Sequence, residues 1–212
     1  IKPKNVFQTR EAILVIARNH IFIVLVSSLL STIIALSAAI LLRLPVMKDF
    51  EEFLLGTATF GQTIPTVAIL ALLVPFLGYG YKPALVALFL YGFLPVFRNT
   101  IEGLHTIPAT IRESARAMGM TRWQIINKVE LPLALPAIIA GIRISLILNI
   151  NVATIGATVG LSGFGTLIVN GIRADDTIMI LKGAIPVSLL SLTVESLFIN
   201  LEKRLRLTSL FT

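Results

Sequence analysis

Residues 113–132 read ESARAMGMTRWQIINKVELP, and this polar stretch decides how the rest of the chain is organised. It is the longest polar interlude in a sequence that is otherwise mostly apolar. The segments before and after it have the composition of helices that lie in lipid. We therefore expect a membrane-bound chain that keeps one structured, charged loop, residues 98–131, in water.

The composition is that of a polytopic helical membrane protein. Of 212 residues, 56% are hydrophobic and 14% are charged, whereas a soluble domain carries about 25% charged residues. Several runs of roughly 20 apolar residues are long enough to cross a hydrocarbon core about 30 Å thick. The predicted fold class is all-α, with residues 1–212 forming a single transmembrane domain.

The net charge of +7 does not indicate nucleic-acid binding. The 18 Lys and Arg residues are spread over loops and termini, and no basic face with interleaved aromatic residues is present. The chain has no cysteine, and its two histidines, His20 and His105, lack partners at metal-binding or catalytic spacing. The sequence therefore predicts no nucleic-acid partner, no metal site, no cofactor and no catalytic residue.

The apolar runs predict about five transmembrane helices. The second contains Gly56, Gly61, Pro65 and Pro75, so we expect it to be kinked or broken, as is tolerated where neighbouring helices or a cavity satisfy the freed backbone groups. Residues 1–19 predict an amphipathic helix at the membrane interface or a simple lead-in to the first span. The five spans are residues 21–42, 53–77, 84–97, 133–152 and 178–201.

The distribution of Lys and Arg predicts that the interlude lies in the cytoplasm. The inside then holds ten Lys and Arg residues against three outside, apart from the four in residues 1–19. This asymmetry is the positive-inside signal, although the N-terminal four oppose it. Five spans place the N-terminus outside, where its first residues can contact lipid headgroups.

The interlude itself predicts two short helices joined at a glycine. Thr110 and Glu113 match a capping box, as do Thr121 and Gln124 three residues apart. The first helix is expected at 111–118. Gly119 is placed to end it in the left-handed conformation. The second helix is expected to stop before residue 132.

The first predicted helix has a face that suits a partner surface. Ile111, Ala115 and Met118 share that face, and the small side chains of Ala115 and Ala117 allow close approach. One interpretation is an elbow that seats in a groove of another protein. A loop that packs on its own helix bundle is an equally good interpretation of the residues alone.

The spacing of Glu113, Ala115, Gly119, Leu131 and Pro132 resembles the signature loop of permease subunits in binding-protein-dependent ABC importers. That motif is written Glu-Ala-Ala, three residues, Gly, nine residues, Ile, one residue, Leu-Pro. This chain departs from it mildly, with Ser and Val at positions 114 and 129. The resemblance implies a coupling helix that docks into an ATPase subunit, with these coupling residues: Glu113, Ala115, Arg116, Met118, Gly119, Leu131 and Pro132.

Further stretches are similar to permeases for glycine betaine, carnitine, choline and related osmoprotectants. They include residues 61–65, 94–100, 118–121, 130–134, 141–143 and 183–186, and the resemblance covers about residues 25–202. It implies the type I ABC importer permease fold in a bacterial or archaeal cytoplasmic membrane. The chain would not be an enzyme, since the nucleotide-binding motif Gly-x4-Gly-Lys-Ser/Thr is missing and the ATPase activity belongs to a separate subunit.

The same resemblance implies several partners. They are ABC ATPase subunits, a second permease copy, an extracytoplasmic substrate-binding protein or domain, and membrane lipid. Five spans are also too few to enclose a gated path alone, which independently favours a second copy. The alternatives are a permease for another small solute such as an amino acid, and a membrane scaffold without transport.

Polar groups inside spans are costly in lipid and usually face a cavity or the bundle interior. Gln62 and Thr63 beside Pro65 are the better candidates for lining a translocation pathway, because a broken helix exposes backbone there. Asn149 and Asn151 either tune the pathway or bridge helices. The aromatic rings of Tyr91 and Phe93 suit either cation–π contact with a quaternary ammonium or ordinary packing. The predicted pathway set is Gln62, Thr63, Pro65, Tyr91, Asn149, Asn151 and Thr154.

Overall fold

The computed structural model describes residues 10–43 and 50–209, and this part of the chain is helical without a strand. The apolar runs form the long helices and the polar interlude forms short ones. The helices are α1 (Arg10–Leu41), α2 (Phe50–Thr63), α3 (Thr66–Leu77), α4 (Tyr81–His105), α5 (Ala109–Ala117), α6 (Arg122–Ile125), α7 (Leu131–Ile155), α8 (Phe164–Ala174) and α9 (Thr177–Ser209). Among the described residues, four helices are long and apolar enough to span a membrane, or five spans if α2 and α3 count as one.

The core of the bundle is where α1, α4 and α7 meet. Gly92 of α4 lies there, and a Cβ at this position would come within 2.8–2.9 Å of Ser31, Ser145 and Asn149. Small residues permit such close helix approach, which favours van der Waals packing in a lipid environment that supplies no hydrophobic driving force between helices. Gly141 of α7 packs equally closely against the backbone of α4.

The second span is broken, as predicted. Its halves α2 and α3 are bent by 95° around Pro65. Two hydrogen bonds attach the break to α4: the Gln62 amide donates to the Tyr91 carbonyl at 2.9 Å, and the Tyr91 hydroxyl donates to the Ile64 carbonyl. The neighbouring helix thus satisfies backbone and side-chain groups that the break would otherwise leave unpaired.

The last span, α9, is held to α7 by an ion-pair triad. Arg143 lies 2.7 Å from Glu195 and 2.8 Å from Glu202. The short helix α8 packs on the first part of α9, where Gly183 lies close to Phe164 and Ile168. Arg143, the one arginine within a predicted span, therefore forms ion pairs with two carboxylates of α9.

Several boundaries differ from the sequence prediction. Residues 10–19 continue as one helix into the first span, while residues 1–9 lie outside the described part. The third span is expected to end at 97 with its helix continuing up to Ile101, whereas α4 runs to His105 and carries an exposed Arg98–Glu102 pair at 2.8 Å on its last turns. The polar loop that connects α4 to the following helices therefore begins at Thr106 rather than at 98. The glycine-rich stretch after the fourth span contains α8, which the sequence did not predict.

Candidate coupling site

The first arm of the interlude is α5, which begins differently from the prediction. Pro108 is its N-cap residue, and no side chain caps the helix. Thr110 and Glu113 lie inside the helix and are exposed, so the predicted capping box at these positions is wrong. The proline sets the start instead, because its ring fixes φ near the helical value while its own ψ stays extended.

The arm ends at Gly119 as the sequence predicted. Gly119 has φ +79°, in the left-handed region. Its N–H donates to the Arg116 carbonyl at 2.9 Å, and the N–H of Met120 donates to the Ala115 carbonyl at 3.2 Å. This pair of bonds is the Schellman motif, which satisfies the last carbonyls of a helix and favours glycine at the left-handed position.

The second arm begins with the predicted capping box. The Gln124 N–H donates to the Thr121 hydroxyl at 3.4 Å, and the Thr121 N–H donates to the Gln124 side chain at 2.8 Å. The first helix of the elbow therefore has a defined end, and the second helix has a defined start. Such reciprocal caps fix the angle at which the chain enters the second helix.

The second arm does not stop before Pro132, and that prediction is wrong. A wide π turn over Ile126–Glu130 joins α6 to α7, so that residues 122–159 form one helical span. The Leu131 N–H donates to the Ile126 carbonyl five residues back. Pro132 is the second residue of α7 and directly follows the π turn. The elbow is therefore continuous with a helix that is long and apolar enough to span a membrane.

The most buried polar group at this end of the bundle is Glu130. Its side chain is 0% exposed and lies 3.0 Å from Arg43, 3.1 Å from Arg112 and 3.6 Å from Arg122. We call these four residues the Glu130 cluster. One carboxylate faces three guanidinium groups, so its negative charge partly offsets their mutual repulsion in a site with little solvent screening.

Two arginines of the Glu130 cluster also bind helix ends. Arg112 donates to the carbonyls of Leu104 and Ile107 at 2.9 Å, where α4 ends. Arg122 donates to the carbonyl of Arg43 at 2.9 Å, just beyond α1. Positive charge is favourable at helix C-termini, because unpaired carbonyls and the helix dipole are negative there. The cluster therefore connects the elbow to α1, α4 and α7 together.

Sequence reasoning missed the Glu130 cluster. In the signature spacing Glu130 occupies the unspecified position before Leu131 and Pro132, and the three arginines indicate topology alone. One signal was available, namely a single acidic residue at a span boundary with an arginine in each flanking segment. Glu130 and Arg43 are 87 residues apart along the chain, so local spacing does not reveal their pairing.

The predicted coupling residues divide into an outward and an inward group. Met118 is 71% exposed, and Glu113, Arg116 and Gly119 are exposed as well. Ala115 is 2% exposed and packs inside this chain, so the prediction that its small side chain admits a partner surface is wrong. Leu131 is half-buried and Pro132 is exposed on the continuous helix. Trp123, which the prediction did not include, is 51% exposed on the same elbow.

The pathway candidates near the helix break divide into anchors and exposed residues. Gln62 and Tyr91 hold the break through the two hydrogen bonds described above, and Tyr91 is buried. Thr63 and Pro65 are exposed, with the Thr63 hydroxyl donating to the Phe60 carbonyl at 2.7 Å.

The pathway candidates on α7 also differ in their burial and in their hydrogen bonds. Asn149 is fully buried and donates to the hydroxyls of Ser28 at 2.8 Å and Ser27 at 3.3 Å, which supports the helix-bridging interpretation. Thr154 is half-buried and donates to the Ile150 carbonyl within its own helix. Asn151 is exposed on the opposite face, where the described residues offer it no hydrogen bond.

Comparison with known proteins gives consistent results. A family model described as "Binding-protein-dependent transport system inner membrane component" matches residues 29–207. The carnitine transport permease protein OpuCB of Listeria monocytogenes is 43% identical over 88% of this chain and 85% of the relative. The osmoprotectant import permease protein OsmY of Salmonella typhimurium is 36% identical over 91% of this chain and 82% of the relative. The glycine betaine/carnitine/choline transport system permease protein OpuCB of Bacillus subtilis is 37% identical over 88% and 85%.

Two solved structures share the fold. Both are inward-facing forms of the MetNI methionine ABC transporter. One aligns with a TM-score of 0.80 over 91% of this chain and 95% of the solved chain, at 21% identity. The other aligns with a TM-score of 0.77 over 88% and 93%, at 22% identity. At this identity the likeness shows the type I importer permease fold.

The fold and the elbow define a membrane-embedded subunit of an ABC importer. More specifically, the chain belongs to the family of binding-protein-dependent transport system inner membrane components. It is a multi-pass protein of the bacterial cytoplasmic membrane, and its relatives with 36–43% identity are osmoprotectant permeases.

Proposed function

We propose that this permease forms half of a translocation pathway for a quaternary-ammonium osmoprotectant such as glycine betaine, carnitine or choline, driven by ATP hydrolysis in a partner subunit. The observation that carries the coupling mechanism is the continuous helix over residues 122–159, which runs from the exposed elbow through the membrane. The substrate class is supported by the three relatives described above, whose names specify carnitine, osmoprotectants, and glycine betaine, carnitine or choline.

In this mechanism the elbow is the contact for an ABC ATPase. Met118 and Trp123 are exposed apolar side chains in a polar loop, and apolar anchors of this kind are typical of a docking surface. When the ATPase closes on nucleotide, the elbow moves, and the Glu130 cluster transmits the movement to α1 and α4 as well as α7. The spans then alternate between inward-facing and outward-facing states by rigid-body motion.

A second permease copy and a binding protein complete the proposed importer. We assign two exposed surfaces to the contact with a second permease copy and to the path between the two copies. One surface is on α2 and includes Thr63, and the other is on α7 and includes Asn151. An extracytoplasmic binding protein or domain delivers the solute at the opposite end of the bundle from the elbow. At that end the Gly80 N–H donates to the Val159 carbonyl at 2.7 Å.

Transport in reconstituted vesicles tests this proposal. The importer, assembled with its ATPase and binding protein, should take up labelled glycine betaine in an ATP-dependent manner, and unlabelled choline or carnitine should compete. Uptake of an amino acid that none of these compounds inhibits would overturn the substrate class. Substitution Met118→Glu should reduce ATPase co-purification. Equal recovery of the ATPase with this variant would contradict the assignment of the elbow.

A further inference from the structure

A cavity of about 260 Å³ lies between α2 and α4 and is not explained by the coupling mechanism. Phe89 and Phe93 line it from α4, and Thr57, Ala58 and Gly61 line it from α2. Leu54 of α2 and Leu90 of α4 complete the lining, so small side chains and two leucines surround the two aromatic rings. A Cβ added at Gly61 would meet no atom within 4 Å, so this wall is open space rather than a packed contact.

The cavity lies partway along the broken second span. Gly61 is about 16 Å along α2 from Phe50 at 1.5 Å per residue, which is about half of a 30 Å hydrocarbon core. It is also close to the 95° break between α2 and α3. Transporters commonly bind their substrates near the midplane at interrupted helices.

The chemistry of the lining favours one class of ligand. The rings of Phe89 and Phe93 are 6.0 Å apart with an interplanar angle of 48° and border the cavity side by side on α4, and Phe93 also stacks on Phe97 at 5.3 Å. Ring faces carry negative partial charge and attract cations within about 6 Å. Among the residues that line it, Thr57 is the polar one, and its hydroxyl donates to its own helix at 2.8 Å.

A quaternary ammonium group suits such a lining better than a primary amine does. It has no N–H donor, so it leaves no unsatisfied hydrogen bond in a cavity that offers few acceptors. Its methyl groups spread the charge over an apolar surface that the small side chains of α2 can contact. The volume is below the 300–1,000 Å³ typical of drug-sized sites, which limits the ligand to a small head group.

We infer that this cavity is a transient binding subsite for the trimethylammonium group of the transported solute, with Phe89 and Phe93 supplying the cation–π contact. The inference rests on the proposed function and adds to it a location and a basis for selectivity. The sequence suggested Tyr91 and Phe93 for this role; Phe93 lines the cavity, whereas the Tyr91 hydroxyl holds the helix break. The aromatic residues that serve the subsite are one turn apart on the other face of α4.

Saturation-transfer NMR on the permease–ATPase complex tests the subsite. The complex is placed in phosphatidylglycerol nanodiscs without binding protein, so that neither lipid nor partner contributes a trimethylammonium site. Irradiation of protein aromatic protons should saturate the methyl protons of choline. Ethanolamine, and the uncharged carbon isostere dimethylbutanol, should bind at least about fivefold more weakly than choline.

Two glycine variants of α2 form a matched pair. Gly61→Leu fills the cavity and should abolish the choline signal. Gly56→Leu should leave it unchanged, because Gly56 also has open space around it but lines a different groove, beside Arg98 and Glu102. Phe89→Leu should weaken choline binding about fivefold or more.

Two results would overturn the inference. Equal choline signals in Gly61→Leu and Gly56→Leu would show that the cavity is not the site. Equal binding of choline and dimethylbutanol would identify an apolar crevice for lipid chains instead. Either result leaves ATP-dependent uptake of glycine betaine intact, whereas failure of the proposed function would appear as loss of that uptake in the unaltered importer.

Discussion

Glu130→Gln removes the one negative charge of the Glu130 cluster while keeping the size of the side chain. The carboxylate is 0% exposed, and three guanidinium groups lie 3.0–3.6 Å from it. Their side chains are 10%, 21% and 28% exposed, so water screens them only partly. Breaking a buried ion pair by removing one partner costs about 3–5 kcal/mol. We expect about 3 kcal/mol here, since glutamine can still accept a hydrogen bond from Arg43.

The assay is thermal unfolding of the purified permease–ATPase complex, combined with the ratio of solute transported to ATP hydrolysed. A loss of about 3 kcal/mol corresponds to a fall in Tm of roughly 6–12 °C for a chain of this size. The transport ratio should fall too, because the elbow loses its attachment to α1 and α4. ATP hydrolysis then proceeds with less movement of the spans.

Glu102→Gln is the matched control. Glu102 is also ion-paired, at 2.8 Å from Arg98, but the two side chains are 58% and 61% exposed. An exposed pair contributes about 0–1 kcal/mol, so this variant should unfold close to wild type. Adding Arg122→Gln to Glu130→Gln should restore part of the lost stability, since it removes an unbalanced positive charge. If Glu130→Gln matches Glu102→Gln in both Tm and transport ratio, the cluster has no role in holding the elbow.

Three further predictions concern other parts of the fold. Gly119→Ala should destabilise the elbow by about 1 kcal/mol, because φ is +79° there, and it should lower uptake more than ATP hydrolysis in vesicles. Arg143→Met should lower Tm more than Arg143→Met combined with Glu195→Gln and Glu202→Gln, since the single change leaves two carboxylates, 35% and 13% exposed, without their partner; equal Tm values would refute the triad. Asn149→Leu should lower Tm by the equivalent of about 0.6–2 kcal/mol through the lost bonds to α1, whereas an unchanged Tm would mean that these bonds do not bridge the helices.

The local rules of helix ends explain which parts of the elbow could be predicted. Gly119 and the box formed by Thr121 and Gln124 depend on residues at most five positions apart, so the sequence contains all the required information. The start of α5 was mispredicted because two signals compete within three residues. Pro108 fixes the backbone before Thr110 can act as a cap.

The sequence by itself determined the class of this protein. Runs of apolar residues specify helices that cross lipid, proline and glycine mark where one of them breaks, and the signature spacing predicts the coupling loop. Each of these depends on residues close together in the chain and on the solvent around them, because a lipid-exposed backbone must form its hydrogen bonds within the helix.

The tertiary structure decided what the polar loop is attached to and which of its residues remain free. The stretch at 113–132 proved to be one exposed arm followed by the first turns of a membrane helix. Its Glu130 joins arginines from three separate segments, and its Ala115 packs inward. Charge pairing over 87 residues depends on how helices α1, α4 and α7 pack together, and local sequence rules do not contain that information.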